Sequence, residues 1–347
     1  MYTNQNVKVK WRNASRSFSC SNGVKQGGVL SPILFGVYID ELLTRLKDSG
    51  FGCHIGNIFA GAVAYADDVA LLAPTTTSMS KLLSICTSYS EEYEINFYPA
   101  KSKSVFFDCH NTSCPSSIQF NGENVEQVNS YKHLGNIIGM HIAEENIRNY
   151  IRIFNGEVNV LMSQFKYIYS TTRYNLFKTY CMSLFGCQLW DFSGKEVQLF
   201  YTAWRKAIRF LWKLPPRCHN NLLHLVCDDL DIEVQLHKRF LKFFHSLYHS
   251  RNTIVCSLAK QVIGGSRSSV CNSLNYILSK YGIPKQNFRS HVLPELLSIL
   301  RNYHQGTNDL ITTANSIREV CEIRDGSLIS NLSKTECNEL LNYLCTI

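Results

Sequence analysis

Apolar and polar positions alternate in two distinct ways along this chain. Residues 58–65 and 69–73 are apolar, β-branched runs broken by Ala66-Asp67-Asp68, which predicts a strand, a tight turn and a second strand. Residues 30–48 follow a helical period instead, with Phe35, Ile39, Leu42, Leu43 and Leu46 on one side, Ser31 as N-cap and Pro32 at the first helical position. A second helical period spans 78–94 and lines up Leu82, Leu83, Cys86, Tyr89 and Tyr93. Around these, 1–22 reads as one or two strands, 103–108 and 130–138 as strands, and 118–125 as a hairpin, because Asn121-Gly122 favours a type I′ turn. From 142 onward the helical period dominates, over 143–169, 173–185, 196–212 and 236–250. Leu214-Pro215-Pro216 interrupts that series, and 263–269 reads as a linker. The last 80 or so residues show helical periodicity and no motif. The expectation is an α+β fold: an antiparallel sheet with two helices on one face, then a helical region.

Composition narrows the picture. No run of about twenty apolar residues occurs, as a membrane-spanning helix would need. The polar first residues do not read as a secretory signal, so an intracellular location, nuclear or cytoplasmic, is expected. The 14 cysteines lack a disulfide-like rhythm and read as reduced, buried small hydrophobes. The formal charge of +8 suits a polyanionic partner. Residues 148–251 contain 15 Lys/Arg against 7 Asp/Glu, a surplus equal to that of the whole chain. Trp190, Trp204 and Trp212, with Tyr167, Tyr169, Tyr174, Tyr180 and Tyr201, interleave with those cations. Helices of this kind suit a phosphate backbone, with Arg205, Lys206 and Arg209 as contacts. The plainer alternative is a bundle with aromatic core and solvated lysines. Cys218, His219, His224 and Cys227 match no standard zinc spacing, and Cys109/Cys114 fit a loop with no metal partner nearby.

Two adjacent aspartates repel each other, and a divalent cation is the natural partner that keeps both ionised. Taken alone, Asp-Asp in a turn is ordinary solvated turn chemistry. Upstream stands Gly23-Val24-Lys25-Gln26-Gly27-Gly28-Val29-Leu30-Ser31-Pro32-Ile33-Leu34-Phe35, where glycines permit close backbone approach and the Gln26 amide can bond a base or sugar edge.

Together these segments resemble the palm motifs of non-LTR (LINE-type) retrotransposon reverse transcriptases, in which a G-x-x-Q-G-x-x-L-S-P-x-L-F element precedes an aromatic-Ala-Asp-Asp hairpin. Ala100-Lys101-Ser102-Lys103-Ser104-Val105-Phe106-Phe107 is similar to the lysine-containing strand that follows, and Tyr131-Lys132-His133-Leu134-Gly135-Asn136-Ile137-Ile138 to the primer-grip hairpin. The resemblance implies a partial polymerase palm over 1–140, a helical thumb-like region over 141–262 and a helical carboxyl-terminal region over 263–347. It implies RNA-templated addition of deoxynucleotides to a DNA 3′ hydroxyl with Mg²⁺ (or Mn²⁺), with RNA template, DNA primer and dNTP as partners and neither membrane nor small-molecule cofactor. Asp67 would bind metal with Asp68 in support. Gln26 and Gly27 would shape the nucleotide and template pocket, Tyr65 would sit under the primer terminus, and Leu134 and Gly135 would position the primer. Lys101 would protonate the leaving pyrophosphate, with Lys103 as competitor; Tyr98 stands where the family usually has Asn.

The chain also departs from the family. A third palm carboxylate, in an F-x-D-x-x-x-A-F-D context, belongs before the Gln-Gly element, yet residues 1–22 contain no Asp or Glu. The expectation is a chain truncated before its first catalytic motif, without fingers, and inactive alone. The other reading is a non-catalytic nucleic-acid-binding remnant that uses the basic thumb. The zinc knuckle some members carry at the carboxyl end is not found.

Overall fold

A computed structural model describes residues 5–20, 23–25, 27–107, 117–139, 143–266, 268–285, 293–303, 307–326 and 330–346. The chain divides into two compact units, Met1–Asn129 and Ser130–Ile347.

The first unit begins with a hairpin of β1 (Gln5–Trp11) and β2 (Ala14–Cys20). Helix α1 (Ser31–Asp48) follows, then the short strands β3 (His54–Ile55), β4 (Ile58–Phe59), β5 (Ala62–Tyr65) and β6 (Asp68–Leu71). Helix α2 (Thr76–Tyr93) leads through a 3₁₀ turn at Pro99–Lys101 to β7 (Lys103–Ser104), β8 (Gln119–Phe120), β9 (Glu123–Asn124) and β10 (Glu126–Gln127). The core is where the two helical stripes meet: Leu42 and Leu46 of α1, Leu82, Cys86 and Tyr89 of α2, and Ile118, Phe120 and Val125 beneath them. A polar clasp runs along the same contact. Arg45 bonds Glu41 and Glu92, its guanidinium lies 5.3 Å and 5.4 Å from the Tyr89 and Tyr93 rings, and Tyr93 donates its hydroxyl to Glu41.

Two expectations change here. Among the described residues the strands form two-stranded ladders rather than one sheet, and the β7–β10 pair is parallel. Strands of two to four residues leave few pairing groups, so neighbouring ladders join through single bonds such as Cys53 N–H to Leu72 O at 2.9 Å. Ser31 is not the cap of α1. The cap position is Leu30, and the Ser31 hydroxyl donates instead to Lys25 O at 2.6 Å, closing the glycine loop onto the helix start. The Asn121-Gly122 turn has φ +51° and +77°, as a type I′ hairpin requires. Residue 108 of the expected 103–108 strand lies outside the described residues, and Cys109/Cys114 do too.

The second unit opens with the hairpin β11 (Ser130–His133) and β12 (Asn136–Gly139), so this hairpin groups with the helices that follow. Ten helices follow among the described residues. They are α3 (Ala143–Gln164), α4 (Ser170–Tyr180), α5 (Glu196–Leu211), α6 (Asn220–Val226), α7 (Ile232–Tyr248), α8 (Thr253–Ile263), α9 (Ser269–Lys280), α10 (Leu293–Tyr303), α11 (Asn308–Asp325) and α12 (Lys334–Leu344). Helix α5 is central: Val197, Phe200, Tyr201, Trp204, Ala207, Ile208 and Leu211 are all buried in one continuous core. Ala259 and Ile263 before the expected linker and Leu274 and Ile277 after it belong to that same core.

The predicted helix over 143–169 stops at Gln164, and the next begins at Ser170 rather than 173. The cause is a buried polar network. Asp325, with a side chain 4% exposed, accepts from both the Ser170 backbone N–H at 3.0 Å and its hydroxyl, fixing the start of α4. Arg173, fully buried, donates to the carbonyls of Phe165, Lys166, Ile168 and Leu211, and Arg324 donates to Trp212 O and Lys213 O at 2.7 and 2.9 Å. The orphan carbonyls at the end of α5 thereby gain cationic donors.

Removing the one carboxylate in this network strands the cations around it. Asp325→Ala should therefore destabilise the chain by about 3 kcal/mol, since breaking a buried charge pair from one side typically costs that much. Asp325→Asn, which keeps an acceptor for Ser170, should cost less. Urea unfolding followed by tryptophan fluorescence measures both, and an Asp325→Ala loss below about 0.5 kcal/mol, the size of an ordinary surface substitution, would make the network incidental.

Candidate functional site

The aspartates sit on the β5–β6 hairpin. Ala62 pairs with Leu71 at its base and both pack against the α1/α2 core, while Tyr65 pairs with Asp68 at its far end. Ala66 and Asp67 make the two-residue turn, so Asp67 is at the tip and Asp68 opens β6. Both carboxylates are exposed, and Tyr65 opposite Asp68 is 65% exposed. Ala66 has φ +52°, a left-handed conformation that a Cβ disfavours by about 1–2 kcal/mol. Such strain persists only where the surroundings impose it, and it clusters at working sites. Neither aspartate forms an ion pair among the described residues. Two adjacent hard oxygen donors fit Mg²⁺ or Mn²⁺, with water completing the shell. No group of three or more metal-ligating side chains occurs among the described residues.

The glycine loop precedes α1. Gly27 has φ +78°, Gly28 N–H bonds Lys25 O at 3.0 Å, and Ser31 N–H bonds Gly28 O at 3.2 Å. Gln26 lies outside the described residues. Of the two lysine candidates, Lys103 is ion-paired to Glu126, whereas Lys101 is exposed at the end of the 3₁₀ turn with its ammonium 5.0 Å from the Tyr98 ring centroid. The Tyr98 ring thus faces the Lys101 ammonium at the position where the family usually has Asn, and of the two lysines only Lys103 is paired with a carboxylate among the described residues.

In the second unit, Leu134 and Gly135 form the β11–β12 turn with φ +47° and +83°. Asn146 fixes the hairpin to α3 by accepting from Ile137 N–H at 3.3 Å and donating to Ile137 O at 3.1 Å. Gly186, at φ +78°, leaves no room for a side chain: an added Cβ would lie 2.1 Å from Asn136 Oδ1.

The basic residues named from sequence do converge. Arg205, Lys206 and Arg209 line a surface groove of about 670 Å³ on α5, together with Lys213, Asn220 and the half-exposed ring of Phe210. Lys213 and Asn220 were missed by sequence reasoning; Lys213 follows Arg209 at helical spacing, which was the available signal. Arg209 is partly structural, because it donates to Cys218 O at 2.6 Å and Asn220 Oδ1 at 2.7 Å. Burial also lowers the pKa of Arg209 and of Lys213. The interleaved aromatics are corrected: Trp190, Tyr174, Tyr201, Trp204 and Trp212 are core, leaving Tyr167, Tyr169 and Tyr180 exposed. Large aromatics at helical spacing gain more from burial than from solvent display. Cys218 and Cys227 are both buried. Cys218 is hydrogen-bonded to the Cys345 thiol, which holds its pKa down, and burial pushes Cys227 up.

A family model described as reverse transcriptase (RNA-dependent DNA polymerase) matches residues 1–138. Residues 1–138 thus resemble a reverse transcriptase segment. The Pol polyprotein from the type-2 retrotransposable element R2DM of Drosophila melanogaster is 44% identical over 70 residues, 20% of this chain and 6% of that protein. A Pol polyprotein from the type-1 element R2 of Popillia japonica is 33% identical over 106 residues, 29% of this chain and 16% of that protein. The RNA-directed DNA polymerase from mobile element jockey of Drosophila melanogaster is 26% identical over 119 residues, 33% and 12% of the two chains. The chain thus spans a small part of each relative, and each of these relatives is a protein of a retrotransposable or mobile element.

The hairpin that carries Leu134 and Gly135 depends on Gly186. Gly186→Ala should destabilise the chain by about 1–2 kcal/mol, the cost of a Cβ at a left-handed position before any clash is counted. Adding Asn136→Ala should recover part of that loss, because it removes the atom the new methyl meets. Additive losses in the double-mutant cycle would show that the two residues are not coupled.

Proposed function

We propose that this chain carries part of the catalytic core of a LINE-type reverse transcriptase, acting in RNA-templated addition of deoxynucleotides to a DNA 3′ hydroxyl. The observation that carries the reading is the strained hairpin that presents Asp67 and Asp68 at its exposed end, within the segment matched as reverse transcriptase. Asp67, supported by Asp68, would hold Mg²⁺ or Mn²⁺, which when bound activates the primer hydroxyl and offsets charge on the leaving pyrophosphate. Tyr65, across from Asp68, would support the primer terminus. Gly27, with Gln26, would admit the nucleotide close to backbone. Lys101 would supply the proton to the leaving group, since Lys103 is held by Glu126. Leu134 and Gly135 would position the primer strand.

A second reading has its own support. The described residues bring two carboxylates and no third to the hairpin end, while α5 presents a groove lined with four cations. In that reading the chain by itself binds nucleic acid without chemistry, and Arg205 and Lys206 contact backbone phosphates, which fixes position without reading sequence.

Primer extension decides between them. The isolated chain, given RNA template, DNA primer and dNTPs with Mg²⁺ or Mn²⁺, should add no nucleotide above background. Extension that disappears in Asp67→Ala would overturn the non-catalytic reading and establish the first. In parallel, Arg205→Glu/Lys206→Glu should weaken RNA binding about tenfold or more at low salt and flatten its salt dependence, whatever the RNA sequence. Arg209 is left intact because its bonds to Cys218 and Asn220 hold the loop after α5. Unchanged binding by the folded double variant would make the groove a solvated face.

A further inference from the structure

The β1–β2 hairpin belongs to neither the aspartate site nor the α5 groove, and its composition is one-sided. Over residues 5–20 it carries Lys8, Lys10, Arg12 and Arg16 and no Asp or Glu. Its register sorts the side chains onto two faces, because side chains directly opposite each other share a face and alternate along each strand. Lys8 pairs with Ser17, Lys10 with Ser15 and Asn6 with Ser19, giving a face of cations, hydroxyls and an amide. Val7 pairs with Phe18, Val9 with Arg16 and Trp11 with Ala14, giving an apolar and aromatic face with one guanidinium. That second face is open: Trp11 is 75% exposed, and Phe18 and Val9 are each 51% exposed.

The geometry points to this hairpin as a binding ribbon for single-stranded nucleic acid. The ribbon is only two strands wide, with backbones about 5 Å apart. A strand lying along its edge can therefore reach both faces, with phosphates toward Lys8, Lys10 and the serine hydroxyls and unpaired bases against Trp11 and Phe18. Stacking on an aromatic side chain is worth roughly 1–3 kcal/mol per base and tolerates any base. A duplex hides its base faces and could use only the cationic side. Charge complementarity argues for a polyanion over a polypeptide, since four cations stand here without one compensating carboxylate. The choice of RNA as the probe rests on the reverse transcriptase reading; the ribbon itself does not.

Trp11 supplies a local reporter, because the other three tryptophans, Trp190, Trp204 and Trp212, are 5% exposed or less. In the full chain, an unstructured oligoribonucleotide should quench the solvent-exposed tryptophan emission, and Trp11→Phe should remove that quenched component. Lys8→Ser/Lys10→Ser should raise the half-saturation concentration about tenfold and lower the log-log salt slope by about 1.4, as two fewer single-strand phosphate contacts require. A duplex of the same length should leave the emission unchanged. Lys8, Lys10 and Trp11 are all exposed, and the thermal unfolding midpoint checks that these changes leave the fold intact. Three outcomes would overturn the proposal: RNA binding by anisotropy with Trp11 emission unmoved, equal quenching by the duplex, or a Trp11 already shielded from acrylamide in the free chain, which would mean that protein covers this face. Running Arg205→Glu/Lys206→Glu alongside separates this from the α5 groove: loss of groove binding with Trp11 quenching retained leaves the ribbon standing, and the reverse result leaves the groove standing.

Discussion

The second unit depends on cations buried against carbonyl groups. Arg173 has no exposed surface, yet among the described residues it makes no side-chain ion pair; it directs its donors to four backbone carbonyls around the end of α5 and the α3–α4 connection. Burial lowers its pKa, and Asp325 opposes that effect. Arg324 completes the arrangement on Trp212 and Lys213. A helix end buried without such partners would leave several unsatisfied acceptors, each expensive in a low-dielectric interior. These two guanidinium groups are therefore what allows α5 to run through the centre of the unit and end there.

That central placement decides what α5 can show to solvent. Most of its apolar positions are taken by the core, and Thr202, Arg205, Lys206 and Arg209 form one outward stripe beside the half-exposed Phe210. Lys213 joins them because the chain turns just past the helix, at φ +48°, where Arg324 holds its carbonyl. The cationic groove is in this sense a by-product of core packing: one helix face is fully consumed, and its charged residues have nowhere else to go. The basic surplus in the sequence marked the segment in which this groove lies, and the aromatics beside it belonged to the opposite face.

Legibility in the sequence followed the range of the interactions. The I′ turn at Asn121-Gly122, the α5 span and the aspartate hairpin are set by residues within a few positions of each other, and the pattern of apolar and turn residues exposed them. The start of α4 was invisible because Asp325, which fixes it, is 155 positions away. Ser31-Pro32 misled in a different manner. The pair has the composition of a cap and first helical residue, but the Lys25 carbonyl, which also accepts from Gly28 N–H, competed for the hydroxyl, and the loop closed on it. At the site, residue types were readable and their commitments were not. Sequence offered Lys101 with Lys103 as its competitor, and the ion pair of Lys103 to Glu126 is what distinguishes them.

The aspartate hairpin shows the opposite economy to α5. Its base is anchored through Ala62 and Leu71, but its tip combines a strained Ala66 with two neighbouring like charges and gains no burial in return. Each of these features opposes hairpin formation: left-handed backbone at a residue with a Cβ, and repulsion between carboxylates that solvent only partly screens. A cation bridging Asp67 and Asp68 would reverse the second term and stabilise the conformation that the first term disfavours. Ion binding and hairpin order are then linked by mass action, since an ion that binds only the ordered tip must favour that order. An ion at the tip would thus offset both the strain at Ala66 and the carboxylate repulsion, while the packed base anchors the hairpin to the α1/α2 core.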